Sequence, residues 1–196
     1  MVALRKRAPA HMTVAEFLGW EPDDRRDRRW QLIDGEPVAM APGSETHGAI
    51  QGELARLIGN HLLDRRSPCR VISEPGVVPR IRSDRNYRVP DLGVTCAAPA
   101  QGQTVPDPVL LIEILSPSNE AATRANVWAY TTMPSVQEIL LLHSTRIEAE
   151  LLRRHPDGSW PEQPEIIVAD RELTLASIDF TVQLAAAYRT TVLAAH

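Results

Sequence analysis

Two carboxylates in this chain stand where a carboxylate is costly. Asp91 closes "YRVPD" at the mouth of the apolar run "LGVTC", and Glu113 lies inside "PVLLIEIL". An unpaired buried carboxylate costs several kcal/mol, so each acid needs a partner, a proton or a metal. If the two strands lie side by side, the acids repel one another, and one pKa rises unless a cation sits between them. Mg²⁺ suits that arrangement, since it takes one or two carboxylates, a carbonyl, waters and phosphate oxygens. Such an ion polarises a phosphodiester and lowers the pKa of an attacking water. The same residues also admit a structural reading, in which Asp91 caps a turn after Pro90 and Glu113 pairs with a buried arginine.

Other chemistry is poorly supplied. Ser116 and Ser118 lack the glycines of a nucleophile elbow. Cys96 ends an apolar strand and reads as packing, and Cys69 and Cys96 are too few for a disulfide scaffold and lack metal-ligand spacing. His61 and His143 show no ligand spacing and read as surface or interface residues, whereas His47 either caps the first long helix or stands near the acids. Trp128 and Tyr130 fall on a helix facing a sheet, where aromatics serve as core. No glycine-rich phosphate loop occurs.

The elements that must position these residues follow from periodicity. "MTVAEFLGW" has Thr13 and Glu16 at capping-box spacing, which predicts a short helix. "WQLIDGEPVAMAP" reads as a hairpin about Asp34-Gly35. Ala49, Ile50, Leu54, Leu57, Ile58 and Leu62 fall near a 3.6-residue period, an apolar stripe on a long helix over "SETHGAIQGELARLIGNHLLDRR". "RVISEPGVVPRI" is a strand pair or a bent strand, and Pro90 puts the next strand at an edge or a bend. "VLLIEIL" is a central strand buried on both faces. A helix capped by Ser116 or Ser118 follows, then strands "QEILLLHS" and "RIEAELLRR", then a closing strand, a turn and a short C-terminal helix. This order predicts a mixed α/β fold with a mixed sheet between helices.

The 196 residues suit one domain over 13–196 behind a flexible tail at 1–12. The basic N-terminus lacks the apolar core of a secretory signal, and no apolar run is long enough to span a membrane, so a cytoplasmic protein is expected. A net charge of −4 argues against nonspecific nucleic-acid binding, although "DDRRDRRW" and "RIRSDRNYR" concentrate arginine. Lys6 is the only lysine in the chain.

"WQLIDGEPVAMAP", His47, "VPDLGV", "IEILSPS", the helical aromatic Tyr130 and "SVQEILLL" together resemble the Uma-two family over residues 12–155. That family is restriction-endonuclease-like and belongs to the PD-(D/E)XK nuclease superfamily. The resemblance implies a restriction-endonuclease-like mixed β-sheet flanked by helices. It makes Asp91 and Glu113 Mg²⁺ ligands, with Mn²⁺ as an alternative ion and the carbonyl of Ile114 as a third ligand. It also implies a DNA substrate cut by phosphodiester hydrolysis, and a homodimer, as two-strand cleavage by such single domains requires. The apolar strands at 139–152 are the expected interface.

The chain departs from the family at its cation. The superfamily's lysine position holds Leu115, and the helical position to which this family moves that lysine holds Asn126, with Ala122 where an acid often precedes it. Gln31 replaces a first-strand glutamate, while Asp34, Gly35 and Glu36 match. Arg124 lies about 200° around the helix from Asn126 and is always charged, so it is no substitute. Asn126 can orient a water but brings no charge to a pentavalent phosphate. Two readings therefore stand: a Mg²⁺-dependent endonuclease with a weakened site, and a catalytically inactive relative acting as a binding or scaffold module.

Overall fold

The computed structural model describes residues 11–21 and 29–194. Most of the expected tail, most of "DDRRDRRW" and Lys6 lie outside those residues, and Met12 is buried.

Thr13 caps α1 (Val14–Gly19) in a full capping box with Glu16. β1 (Trp30–Ile33) and β2 (Glu36–Ala39) form the expected hairpin. Its turn needs left-handed backbone at both central residues, Asp34 at φ 51° and Gly35 at φ 89°, which aspartate tolerates and glycine favours. Ser44 caps α2 (Glu45–Asp64) by accepting from His47 N at 3.2 Å.

The main sheet runs β3 (Arg70–Ser73), β4 (Leu92–Thr95), β5 (Pro108–Leu115), β6 (Glu138–His143), β7 (Glu148–Arg153) and β8 (Glu165–Val168) in spatial order. Only β5 and β6 pair in parallel, joined through α3 (Glu120–Tyr130), so the sheet is mixed as expected. β4 is interior, not an edge. Pro90 stands two residues ahead of it and leaves its ladder intact.

Strand alternation divides β5 between two cores. Leu110, Ile112 and Ile114 pack with the α2 stripe Ile50, Leu54, Ile58 and Leu62. Each fully buried aliphatic of that stripe contributes about 1.5–3 kcal/mol. Leu111 faces the other way, against Tyr130, Met133 and Val136. Glu113 shares the parity of Leu111 and so is directed towards α3.

Several local expectations need correction. Asn119, not a serine, precedes α3, and its Oδ1 accepts from Ser116 N at 2.7 Å and makes no cap to the helix. The C-terminal segment is β8 followed by a separate hairpin, β9 (Glu172–Leu175) with β10 (Phe180–Gln183), and its closing helix is a five-residue 3-10 turn, Leu184–Tyr188. Strands β6 and β7 lie inside the sheet, so residues 139–152 offer no free strand edge, and the edges are β3 and β8. Cys69 and Cys96 form a disulfide beside the Arg70–Thr95 pair, joining the flanks of β3 and β4. Among the described residues no helix is long and apolar enough to cross a membrane.

Candidate active site

Register brings the two acids together. Leu92 pairs with Ile112 across the antiparallel β4–β5 ladder, so the preceding Asp91 falls opposite Glu113. Both are buried, at 7% and 5% exposure.

Asp91 is held from two directions. Its Oδ2 accepts from Ile114 N at 2.7 Å and lies 3.2 Å from His47 Nε2. One turn further along α2, Gln51 Nε2 donates to the Asp91 carbonyl at 2.9 Å. The helix cap therefore fixes the site as well as the helix, since the Ser44 bond to His47 N sets the turn from which His47 reaches Asp91. Gly43 makes room for that ring: a Cβ there would lie 2.7 Å from His47 Nδ1. The two readings of His47 are thus combined, for it begins the helix and also touches the first acid.

Glu113 is held from α3. Tyr130 donates its hydroxyl to Oε1 at 2.7 Å, and Asn126 Nδ2 lies 3.4 Å from the same oxygen. Burial, and next the charge of Asp91, push the Glu113 carboxyl up to about 8, against the pull of the Tyr130 and Asn126 donors. The Tyr130 phenol is raised as well, first by its own burial and then by Glu113. Among the described residues no arginine pairs with Glu113, contrary to the structural reading.

The donor chemistry fits a hard divalent cation. Asp91 Oδ1 makes no hydrogen bond among the described residues, while Oδ2 is tied down, and the Glu113 carboxyl is held at Oε1 by Tyr130 and Asn126 and also drawn on by the Asp91 main-chain N–H. Two facing carboxylates that retain lone pairs, beside a main-chain carbonyl, match what Mg²⁺ accepts when it keeps several waters. The Ile114 carbonyl has one long contact, Asn119 Nδ2 at 3.4 Å. No group of three or more His, Cys, Asp and Glu side chains among the described residues is arranged to hold a metal, so waters and the carbonyl must complete any coordination.

Asn126 does reach Glu113, and Leu115 is buried without polar function. Arg124 turns away, as helix geometry requires, pairing with Glu120 at 3.0 Å and Glu150 at 2.8 Å. Two expectations fail. Trp128 is 70% exposed, because α3 packs by its Thr123, Asn126 and Tyr130 face. His143 is buried and lies 3.0 Å from Glu150 Oε1. His61 is half-buried, with Nε2 3.1 Å from the Ile178 carbonyl. Gln51 was missed, since a glutamine in a helix carries no signal of its role until the strand beneath it is known.

Comparison with known proteins gives a consistent outcome. The family described as "Uma2: Putative restriction endonuclease" matches residues 14–187. The uncharacterized protein slr1290 of Synechocystis sp. is 34% identical over 164 residues, covering 82% of this chain and 84% of its own. A second Synechocystis protein, sll1609, also uncharacterized, is 25% identical over 154 residues, covering 76% and 84%. A crystal structure described as a putative nuclease belonging to DUF820, from Anabaena variabilis ATCC 29413, superposes with a TM-score of 0.70 at 18% identity. That superposition covers 90% of this chain and 97% of the other, and at such identity it speaks for the fold.

Proposed function

The chain belongs to the Uma2 family, and from that premise we propose that it hydrolyses phosphodiester bonds in DNA with a divalent cation, Mg²⁺ or Mn²⁺, held by Asp91, Glu113 and the Ile114 carbonyl. One observation carries the reading: two buried carboxylates face each other across paired strands, each held by a hydrogen bond to one oxygen. A cation there supplies charge neutralisation for the phosphate and makes water a usable nucleophile at neutral pH.

The chain's own residues do the positioning. Ile114 N–H and His47 fix Asp91 Oδ2, so the free oxygen keeps one orientation. Tyr130 and Asn126 do the same for Glu113 Oε1. Asn126 is also the side chain on α3 that can hold a water by hydrogen bonding, although it adds no charge. Slow hydrolysis is the expected rate class.

The second reading, a binding or scaffold module that no longer cuts, is favoured by one specific feature. Asn126 spends its amide on Glu113 and supplies no cation. Incubating the full chain with supercoiled plasmid and Mg²⁺ or Mn²⁺, with EDTA as control, decides between the two. Nicked circles that need metal and vanish in Asp91→Ala support the nuclease. Intact plasmid at high enzyme concentration supports the module.

A further inference from the structure

Among the described residues Arg88 is the only buried arginine, at 6% exposure. The buried acids Glu53, Glu138 and Glu150 each pair with an arginine. Arg88 pairs with no acid among the described residues. Its Nη1 donates to the Leu32 carbonyl at 3.1 Å, and its Nε is sealed from water with no partner. Nη2 is also without a partner among the described residues and is not among the sealed atoms, so the guanidinium tip keeps access to solvent.

Its position links it to the two acids. Arg88 bridges Val77, which packs against Tyr130. Tyr130 in turn holds Glu113. The carboxylate whose charge reaches the guanidinium, Asp34, is already engaged by Asn86 at 3.2 Å and Arg82 at 3.1 Å. Gln31, beside it through the Val89 N–H, is neutral.

A buried cation without an anion costs several kcal/mol, so this geometry calls for an anion from outside the chain. The guanidinium fork matches paired phosphate oxygens, which it binds through charge-assisted hydrogen bonds. We propose that Arg88 is the anion anchor of this site, taking a phosphate of the substrate backbone next to the Asp91–Glu113 pair. The identity of that anion rests on the nuclease reading, whereas the anchor itself does not.

The test uses the ¹⁵N-labelled full chain in EDTA, with inorganic phosphate as probe. The Arg88 Nε–H resonance, assigned by its absence in Arg88→Gln, is expected to shift saturably with phosphate. By calorimetry, Arg88→Gln should bind phosphate about tenfold more weakly, the loss of one charge-assisted bond. Arg88→Lys keeps the charge and should recover part of the affinity, and it serves as the folded comparison if Arg88→Gln is unstable. Asp91→Ala should bind phosphate at least as well as wild type, because it lacks a nearby negative charge. An unmoved Arg88 signal, or undiminished binding in a folded Arg88→Gln protein, would overturn the proposal. Phosphate bound at Arg88 while plasmid stays intact in Mg²⁺ would remove the nuclease reading and leave the anchor standing. Metal-dependent nicking with unchanged KM and kcat in Arg88→Gln would do the reverse.

Discussion

The Tyr130 hydroxyl and Glu113 Oε1 are 2.7 Å apart, with both residues buried and on opposite sides of the α3–β5 contact. This bond ties a helix to the central strand through an acid whose pKa burial has raised to about 8. In the metal-free protein at neutral pH the Glu113 carboxyl is therefore mostly protonated, and a bound cation must displace that proton.

The first prediction concerns pH. Glu113 has a pKa of about 8 folded, against 4.5 as the ordinary value. Between those values the unfolded chain has released a proton that the folded chain retains. Stability therefore falls as pH rises through this window, and the penalty is absent below it. Thermal melts in EDTA from about pH 5 to about pH 8 should show Tm declining, with a clearly shallower decline in Glu113→Gln. Equal slopes for the two proteins would mean that Glu113 is not the group responsible.

Tyr130→Phe removes the donor and keeps the ring. Loss of this buried bond should cost about 1–3 kcal/mol in urea unfolding. It should also raise the Glu113 pKa further, since the hydroxyl pulls that pKa down. The pH at half-maximal metal binding, followed by calorimetry, should then move upward. A shift downward, or none, would contradict the role given to Tyr130.

Asn126→Lys places a cation 13 residues beyond Glu113, where the asparagine amide now lies 3.4 Å from Oε1. It should lower the Glu113 pKa, by opposite charge, and raise plasmid nicking about tenfold or more. Unchanged nicking in a folded variant would show that the missing charge does not limit the rate.

The Cys69–Cys96 bond closes a span of 27 residues across β3 and β4. Loop-closure entropy gives about 3 kcal/mol for a loop of this order. Reduction, or Cys69→Ser, should lower Tm by several degrees. Melts with and without dithiothreitol measure this, and superimposable curves would show that the bond contributes nothing to stability.

The sequence made the acids visible because each breaks a pattern. Glu113 interrupts the most continuous apolar run, and Asp91 follows a proline at the mouth of another. The α2 stripe and the Asp34-Gly35 turn were equally plain, being set by local periodicity and backbone preference. What stayed hidden depends on the sheet. Gln51 and Arg88 acquire partners, or lack them, only when distant strands are laid beside them. Trp128 was expected in the core because an aromatic on an α3-type helix faces inward more often than not, yet the face buried here is set by Asn126 and Tyr130 reaching Glu113. The disulfide was missed because 26 intervening residues give no hint that Cys69 and Cys96 flank one antiparallel pair.

The central claim is that Asp91 and Glu113 form one divalent-cation site. Calorimetric titration of Mg²⁺ and Mn²⁺ into wild type and Asp91→Ala, in matched buffer near neutral pH, tests it most directly. The account predicts saturable binding in the wild type with release of a proton, seen as a heat that depends on the buffer's ionisation enthalpy, and loss of binding in Asp91→Ala. Wild-type protein that takes up neither ion, or an Asp91→Ala protein that binds as well as wild type, would contradict it.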